Sequence, residues 1–377
     1  MTSLRKTLGD IADEAPPVSL ADLADRAVTG HRRRRRTILT LAAVATVMAL
    51  GVGTAGMTLV GSRGDYGDYG DYTVTPQRAD TLPELPDGKV EPLGYAYQTP
   101  CKVDKKTRHV DCGVIEWRVV TRTGTTYRVP QALTETVKAF RVPISISRDG
   151  RMLAYYSRQA QAHVVRDLVS GSTVTSSVTV KEEQLGVGTM LVVSDDGRYV
   201  VFDPREGSKQ PGLLIDMHTG KTVSIPGEYE TIGIKDGVAQ LVRYRKTDLW
   251  LMPVTGGGAP VRFDGVFIMF SELSPDGRTV AAFEFGKQRM ESHSLTLLDA
   301  KTGRTIRKVV IRGLPKAGGI LDTSLWRNRA EVTLFYLHNG GSRSSYAIDI
   351  NTGRARQTAR YPNVSPYMLF PGVVSSK

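Results

Sequence analysis

The chain has 377 residues, 50 Lys and Arg against 38 Asp and Glu, a formal net charge of +12, and 2 cysteines. That length admits one large core or two ordinary ones, because all-β propellers and barrels exceed the usual domain size as single units. A basic balance states only non-specific attraction until the charges are placed, and two thiols alone cannot hold a zinc ion, which takes four ligands.

Residues 1–36 carry two brief amphipathic patterns broken by Pro16-Pro17. Ser3 is placed to cap a segment with Leu4, Leu8, Ile11 and Ala12 on one face, and Ser19 another with Leu20, Leu23 and Ala27. Each is too short to be a stable helix in water. The tail reads either as a solvated segment or as a docking peptide that folds on a cytoplasmic regulator.

From Thr37 to Val60 no charged residue occurs. At about 1.5 Å per residue such a helix covers roughly 36 Å, enough to cross a hydrocarbon core of about 30 Å with some tilt. The densest basic cluster, Arg32, Arg33, Arg34, Arg35 and Arg36, lies immediately before it, while Gly61-Ser62-Arg63-Gly64-Asp65 on the other flank is nearly neutral. The positive-inside rule then places 1–36 in the cytoplasm, 37–60 in the membrane, and the rest outside. The position of the arginines assigns them to topology, so no nucleic-acid partner is expected. A cleaved secretory signal has a shorter apolar region behind a shorter leader. A lipoprotein would need a cysteine at the end of the run, and Thr37-Ile38-Leu39 does not match a twin-arginine signal closely.

Residues 61–93 read as an extracytoplasmic linker. The Gly-Asp-Tyr triplet recurs from Gly64 to Tyr72 with nothing apolar to bury, and Pro76, Pro83, Pro86 and Pro92 stiffen the remainder of the segment. Cys101 and Cys112 fall on the oxidising side, where a disulfide closing a short loop is expected; His109 nearby does not complete a metal site.

Residues 94–377 carry the organising repeat. Ser147-Arg148-Asp149-Gly150-Arg151, Ser194-Asp195-Asp196-Gly197-Arg198 and Ser274-Pro275-Asp276-Gly277-Arg278 each precede an apolar, β-forming stretch. Asp-Gly supplies the positive-φ turn that folds one strand onto the next, and Asp236-Gly237 is a degenerate copy. A second turn comes after each: Asp167 with Ser170-Gly171, Asp216 with Thr219-Gly220, Asp299 with Thr302-Gly303 and Asp349 with Thr352-Gly353. The spacing of roughly 40–52 residues is that of one four-stranded propeller blade. Six blades are expected, at 94–130, 131–180, 181–228, 229–262, 263–313 and 314–362, with 365–370 returning to complete the first.

The run from Leu273 to Ala281, with its downstream Asp-x-x-Thr-Gly turn, resembles the TolB-type (PD40/WD40-like) repeat, over about residues 140–355. The fold class expected is therefore all-β, a TolB/WD40-like β-propeller behind a single transmembrane helix. The whole arrangement also resembles a group of actinobacterial membrane-anchored propeller proteins often associated with extracytoplasmic-function sigma factors. That resemblance implies a signalling role, although the tail lacks the His-x3-Cys-x2-Cys set of zinc-binding anti-sigma domains.

No Gly-x-Ser-x-Gly elbow, His-Glu-x-x-His or phosphate-binding loop occurs, and the six histidines lack ligand spacing. Turn formation accounts for Asp149, Asp196 and Asp276 without catalysis. The expectation is a non-enzymatic sensor or scaffold, without cofactor or metal, that recognises an extracytoplasmic protein or envelope ligand. A propeller lyase or glycan hydrolase is the alternative. Carboxylate, His and Arg side chains converging on one mouth of the ring would favour that alternative, as would a tryptophan (Trp117, Trp250 or Trp326) on the funnel face favour a binding site there.

Overall fold

The computed structural model describes residues 82–103, 110–111, 115–205, 208–244, 246–285 and 294–374. The tail 1–36 with the cluster Arg32 to Arg36, the apolar span 37–60, most of the linker, His109 and Cys112 lie outside them. Among the described residues no helix is long and apolar enough to cross a membrane.

Six four-stranded antiparallel sheets succeed one another along the chain. Blade 1 holds Leu93–Gln98, Trp117–Thr121 and Thr126–Arg128; blade 2 runs from Ser145–Ile146 to Thr173–Thr179, and blade 3 from Met190–Val193 to Thr222–Ile225. Blade 4 runs from Glu230–Lys235 to Val261–Arg262, blade 5 from Phe267–Ile268 to Thr305–Val310, and blade 6 from Gly318–Trp326 to Ala355–Tyr361. In blades 2 to 6 the strands lie side by side in chain order. The first strands of blades 2, 3 and 4 pack against one another, which sets them at the centre of the ring.

Blade 1 is completed from the far end of the chain. Met368–Leu369 pairs with Leu93–Gln98 in its innermost place, with Ala96 opposite Leu369 and Tyr97 opposite Met368. Arg343 holds the returning segment through the carbonyls of Ser365 (3.0 Å) and Pro366 (2.7 Å), and the Arg141 guanidinium stacks on the Tyr367 ring. Closure removes the open sheet edges that a linear array of blades would expose.

The second and third strands of each blade lack polar-apolar alternation because both faces are covered. Met152–Ser157 is buried at all but its last residue. Alternate side chains of this strand serve different neighbours: Leu153 and Tyr155 join the core shared with blade 1, whereas Met152, Ala154 and Tyr156 join the core shared with blade 3. The remaining apolar clusters occupy the joints between blades 3 and 4, 4 and 5, 5 and 6, and 6 and 1. Each fully buried large side chain contributes about 1.5–3 kcal/mol. Fourth strands such as Thr173–Thr179 are mostly exposed, as their Thr and Ser content requires at the rim.

The end of the stretch read as linker is packed rather than free. Leu82, Leu85 and Val90 are buried, Glu84 bridges in parallel to Arg128, and Val90 N–H donates to Leu168 O at 2.7 Å. Residues 82–92 thus lie against blades 1 and 2, apolar side chains inward. Lys102–Val103 and Val110–Asp111 form a small hairpin in which Lys102 pairs with Asp111, the residues adjoining Cys101 and Cys112. Cys112 being outside the described residues, the disulfide stays an expectation of the sequence.

Candidate functional site at the ring mouth

Two turns recur in the blades, and one salt bridge joins them. In the first, the serine hydroxyl donates to the aspartate two residues on, Ser147 to Asp149 and Ser194 to Asp196 at 2.6 Å, and Ser274 likewise to Asp276. The glycine after each aspartate has φ between 69° and 73°. Asp236-Gly237 differs: both residues have positive φ, and Lys235 pairs with Val238, a two-residue hairpin turn without the serine loop.

In the second turn the aspartate accepts two backbone N–H groups, as Asp299 does from Lys301 and Thr302, both at 2.9 Å. The arginine just after the first turn then reaches the aspartate of the second: Arg151 to Asp167 at 2.6 Å, Arg198 to Asp216 at 3.0 Å and Arg278 to Asp299 at 2.7 Å. Arg151 and the Ser170 hydrogen bonds hold Asp167 well below the usual carboxylate range. Against the cost of burial, Arg198 and Arg278 with the backbone donors keep Asp216 and Asp299 at about 2. These aspartates are engaged by the arginine and by the backbone donors of their own turns.

The inner ends of the first turns surround a cavity of about 270 Å³. The residue between the serine and aspartate of the motif points into it in three blades, namely Arg148, Asp195 and Pro275, and Lys235 occupies the matching place in blade 4. Glu272, Asp236 and the apolar side chains of Val192, Ile234, Leu251 and Leu325 add to the wall, and Gly372 to Val374 of the closing segment complete it.

Arg148 is the hub. Its Nε lies 3.2 Å from Glu272 Oε2 and 3.7 Å from Asp195 Oδ2, and its backbone N–H donates to Asp195 Oδ1 at 3.0 Å. Glu272 Oε1 accepts the backbone N–H of Trp326 at 2.9 Å, so one carboxylate links blades 2, 5 and 6. Burial pushes the Glu272 and Asp195 carboxyls up, while the charges of Arg148 and Lys235 oppose that rise. Gln240, also in the wall, donates to Ser271 O at 2.9 Å and accepts Leu273 N–H at 2.7 Å, stitching blade 4 to blade 5. With two cationic and three carboxylate side chains the wall carries a small formal excess of negative charge.

Carboxylates and an arginine therefore converge on one mouth, but no histidine lines it. Among the described residues no group of three or more His, Cys, Asp and Glu is placed to hold a metal. None of the three tryptophans reaches the cavity wall. Trp117 and Trp326 are core, 2% and 4% exposed, and Trp250 donates to Gly257 O at 3.1 Å while packing edge-on against Tyr229. His163 is core as well, wedged between Tyr156 and Phe202, and its burial lowers it to about 3. Arg148, Asp195 and Pro275 stand beside the repeated aspartates in positions that the repeat leaves variable. The signal for them was the variable residue within a fixed Ser-x-Asp-Gly frame.

No family model matches the chain, and no curated protein matches it. Among solved structures, TolB from Acinetobacter baumannii is similar at 16% identity and a TM-score of 0.46, covering 74% of this chain and 65% of that one. Hydrazine synthase of Kuenenia stuttgartiensis is similar at 15% identity and a TM-score of 0.39 over 63% and 71% of the two chains. Kluyveromyces lactis Hsv2 is similar at 11% identity and a TM-score of 0.39 over 62% and 68%. The six-bladed ring itself rests on the strand pairing described above.

Proposed function

We propose that this chain is a membrane-anchored extracytoplasmic binding protein, a sensor or scaffold, whose propeller takes a segment of a partner protein or envelope ligand at the ring mouth. The observation that carries the reading is the mouth itself: a cavity whose wall takes in the variable position of a turn that recurs in blades 2, 3 and 5. A volume of about 270 Å³ lies just below the range of small-molecule pockets. It suits one or two protruding side chains of a partner better than a large cofactor. The apolar wall with a few charged groups sets both depth and orientation for such a segment.

The anchor belongs to the same proposal: the uncharged span 37–60 behind Arg32 to Arg36 holds the chain in the cell membrane, residues 1–36 meet a cytoplasmic regulator, and a sigma factor is one candidate. Propeller hydrolysis or lyase chemistry is the second reading, favoured by the two carboxylates at Arg148, Glu272 buried and Asp195 partly exposed. It is the weaker one, because Arg148 already engages both carboxylates and the Trp326 backbone N–H engages Glu272 as well.

The test is a photo-crosslinking residue placed in the full chain at Lys235, on the mouth, or at Lys221, on an exposed turn. A specific adduct from position 235 and none from 221 is expected. Absence of any adduct at 235, with the chain folded and in the membrane, would remove the mouth from the account. A pull-down with residues 1–36 that recovers no specific protein would discard the signalling half alone.

A further inference from the structure

The basic excess of the folded part is concentrated in its last third. Residues 294–374 contain 12 Lys and Arg against 4 Asp and Glu, a formal +8, whereas residues 82–285 contain 25 against 24. Half of those twelve stand on one rim. Arg304, Arg307, Arg312, Arg354, Arg356 and Arg360 are all exposed, along or beside the fourth strands of blades 5 and 6.

The two strands are joined into one surface. Arg312 N–H donates to Gly353 O and Ala355 N–H to Arg312 O, both at 2.8 Å, which sets Arg312 beside Arg354 in a parallel bridge. Arg307 reaches over to Asn351 Oδ1 at 2.9 Å. Acid partners are few: Lys308 meets Glu284 and Arg356 meets Glu331 at 3.3 Å, while Arg304, Arg312, Arg354 and Arg360 have no carboxylate among the described residues.

Apolar side chains stand among these charges. Ile306 and Val310, 50% and 58% exposed, flank Arg307 and Lys308 on the fourth strand of blade 5. Exposed aliphatic groups interleaved with cations are suited to an interface that has both anionic headgroups and an apolar layer beneath them. A soluble polyanion would use the cations and leave the aliphatic groups in water.

We propose that the rim of blades 5 and 6 is a docking surface for the headgroup region of an anionic lipid bilayer. Phosphate oxygens accept from the unpartnered guanidinium groups, and Ile306 and Val310 enter the layer below. Each cation held near such a surface contributes roughly fivefold in partitioning, so neutralising three of them lowers it on the order of a hundredfold. The surface is distinct from the ring mouth and holds whether or not the mouth is a binding site.

The experiment is amide exchange on the full chain in nanodiscs of phosphatidylcholine alone or with phosphatidylglycerol. The amides of 305–310 and 355–361 are expected to exchange about tenfold more slowly beside the anionic lipid and unchanged beside the neutral one. The triple variant Arg312→Gln, Arg354→Gln, Arg360→Gln, all exposed and without ion partners, loses the difference and keeps exchange elsewhere as in the wild type. If the chain does not enter nanodiscs, the anchor of the proposed function fails but the rim does not. Vesicles of the same lipids are then added to the soluble full chain and the same amides read. Equal exchange beside both lipids, or slowing that survives the triple variant, overturns the proposal. So does equal slowing by soluble poly(glycerol phosphate) that Ile306→Ser with Val310→Ser leaves intact, since the partner would then be a polymer.

Discussion

At Gly303 the backbone of blade 5 comes against Arg262 O of blade 4, so closely that a Cβ would overlap that oxygen; Gly353 meets Val310 O of blade 5 in the same way. Gly277, at φ +69, has nothing within 4 Å of a Cβ. Two glycines that look alike in the repeat thus do different work, one only bending the chain and the other also letting one blade touch the next. Alanine at 277 should cost about 1 kcal/mol, the strain of positive φ alone. Alanine at 303 or 353 should cost about 3–4 kcal/mol, because the neighbouring blade must also move. Urea midpoints of the three variants check this; equal losses would show that the approach between blades is not tight.

Titration is also decided at single residues. Asp203, 3% exposed, is pushed up to about 6 by its burial, with the nearby Glu230 adding to the effect and the Arg205 N–H opposing it. In the unfolded chain the same group titrates near 4. Between those values the folded state holds the extra proton, so this group's contribution to stability falls as pH rises from about 4 to 6. His163 has the opposite sign: lowered to about 3 by burial, it favours the fold increasingly as pH rises toward its unfolded value of about 6.5. Asp203→Asn keeps the acceptor for Arg205 and should raise stability at pH 7 by about 1–3 kcal/mol, with no gain at pH 4. A gain that is independent of pH would refute the assignment.

Among the elements, the closing strand carries more than its two residues suggest. Phe370, 4% exposed, stacks on Phe335 and packs against Tyr361 of blade 6, next to Tyr95 of blade 1. Phe370→Ala should cost about 3–5 kcal/mol and lower the thermal midpoint. Deleting residues 362–377 removes the inner strand of blade 1 and should turn cooperative unfolding into a broad transition with exposed apolar surface. If the truncated chain melts as sharply as the whole, closure is not what holds the ring. The paired strands were legible element by element, because each carries its own turn and apolar run. The segment 82–92 was not, since its prolines mask the inward apolar positions Leu82, Leu85 and Val90. The mouth was half legible: the turn motif located it, but Arg148, Asp195 and Lys235 occupy its least repetitive position. Glu272 lies outside the motif and comes into place only when blades 5 and 6 meet.

For the whole molecule, a ring of similar blades leaves two places where the sequence is free to differ, the mouth and the rim, and its charge is distributed accordingly. A mixed, nearly balanced set of charges lines the cavity, while the net positive charge collects on blades 5 and 6. The proposed function adds that this ring stands outside the cell on a chain whose first residues stay within. Cysteine accessibility tests that claim directly, using the full chain with Ser3→Cys or Lys221→Cys and a membrane-impermeant thiol reagent on intact cells. Labelling at position 221 without lysis, and at position 3 only after it, is the expected result. Position 221 labelled only after lysis, or the chain recovered in the soluble fraction, would contradict the account.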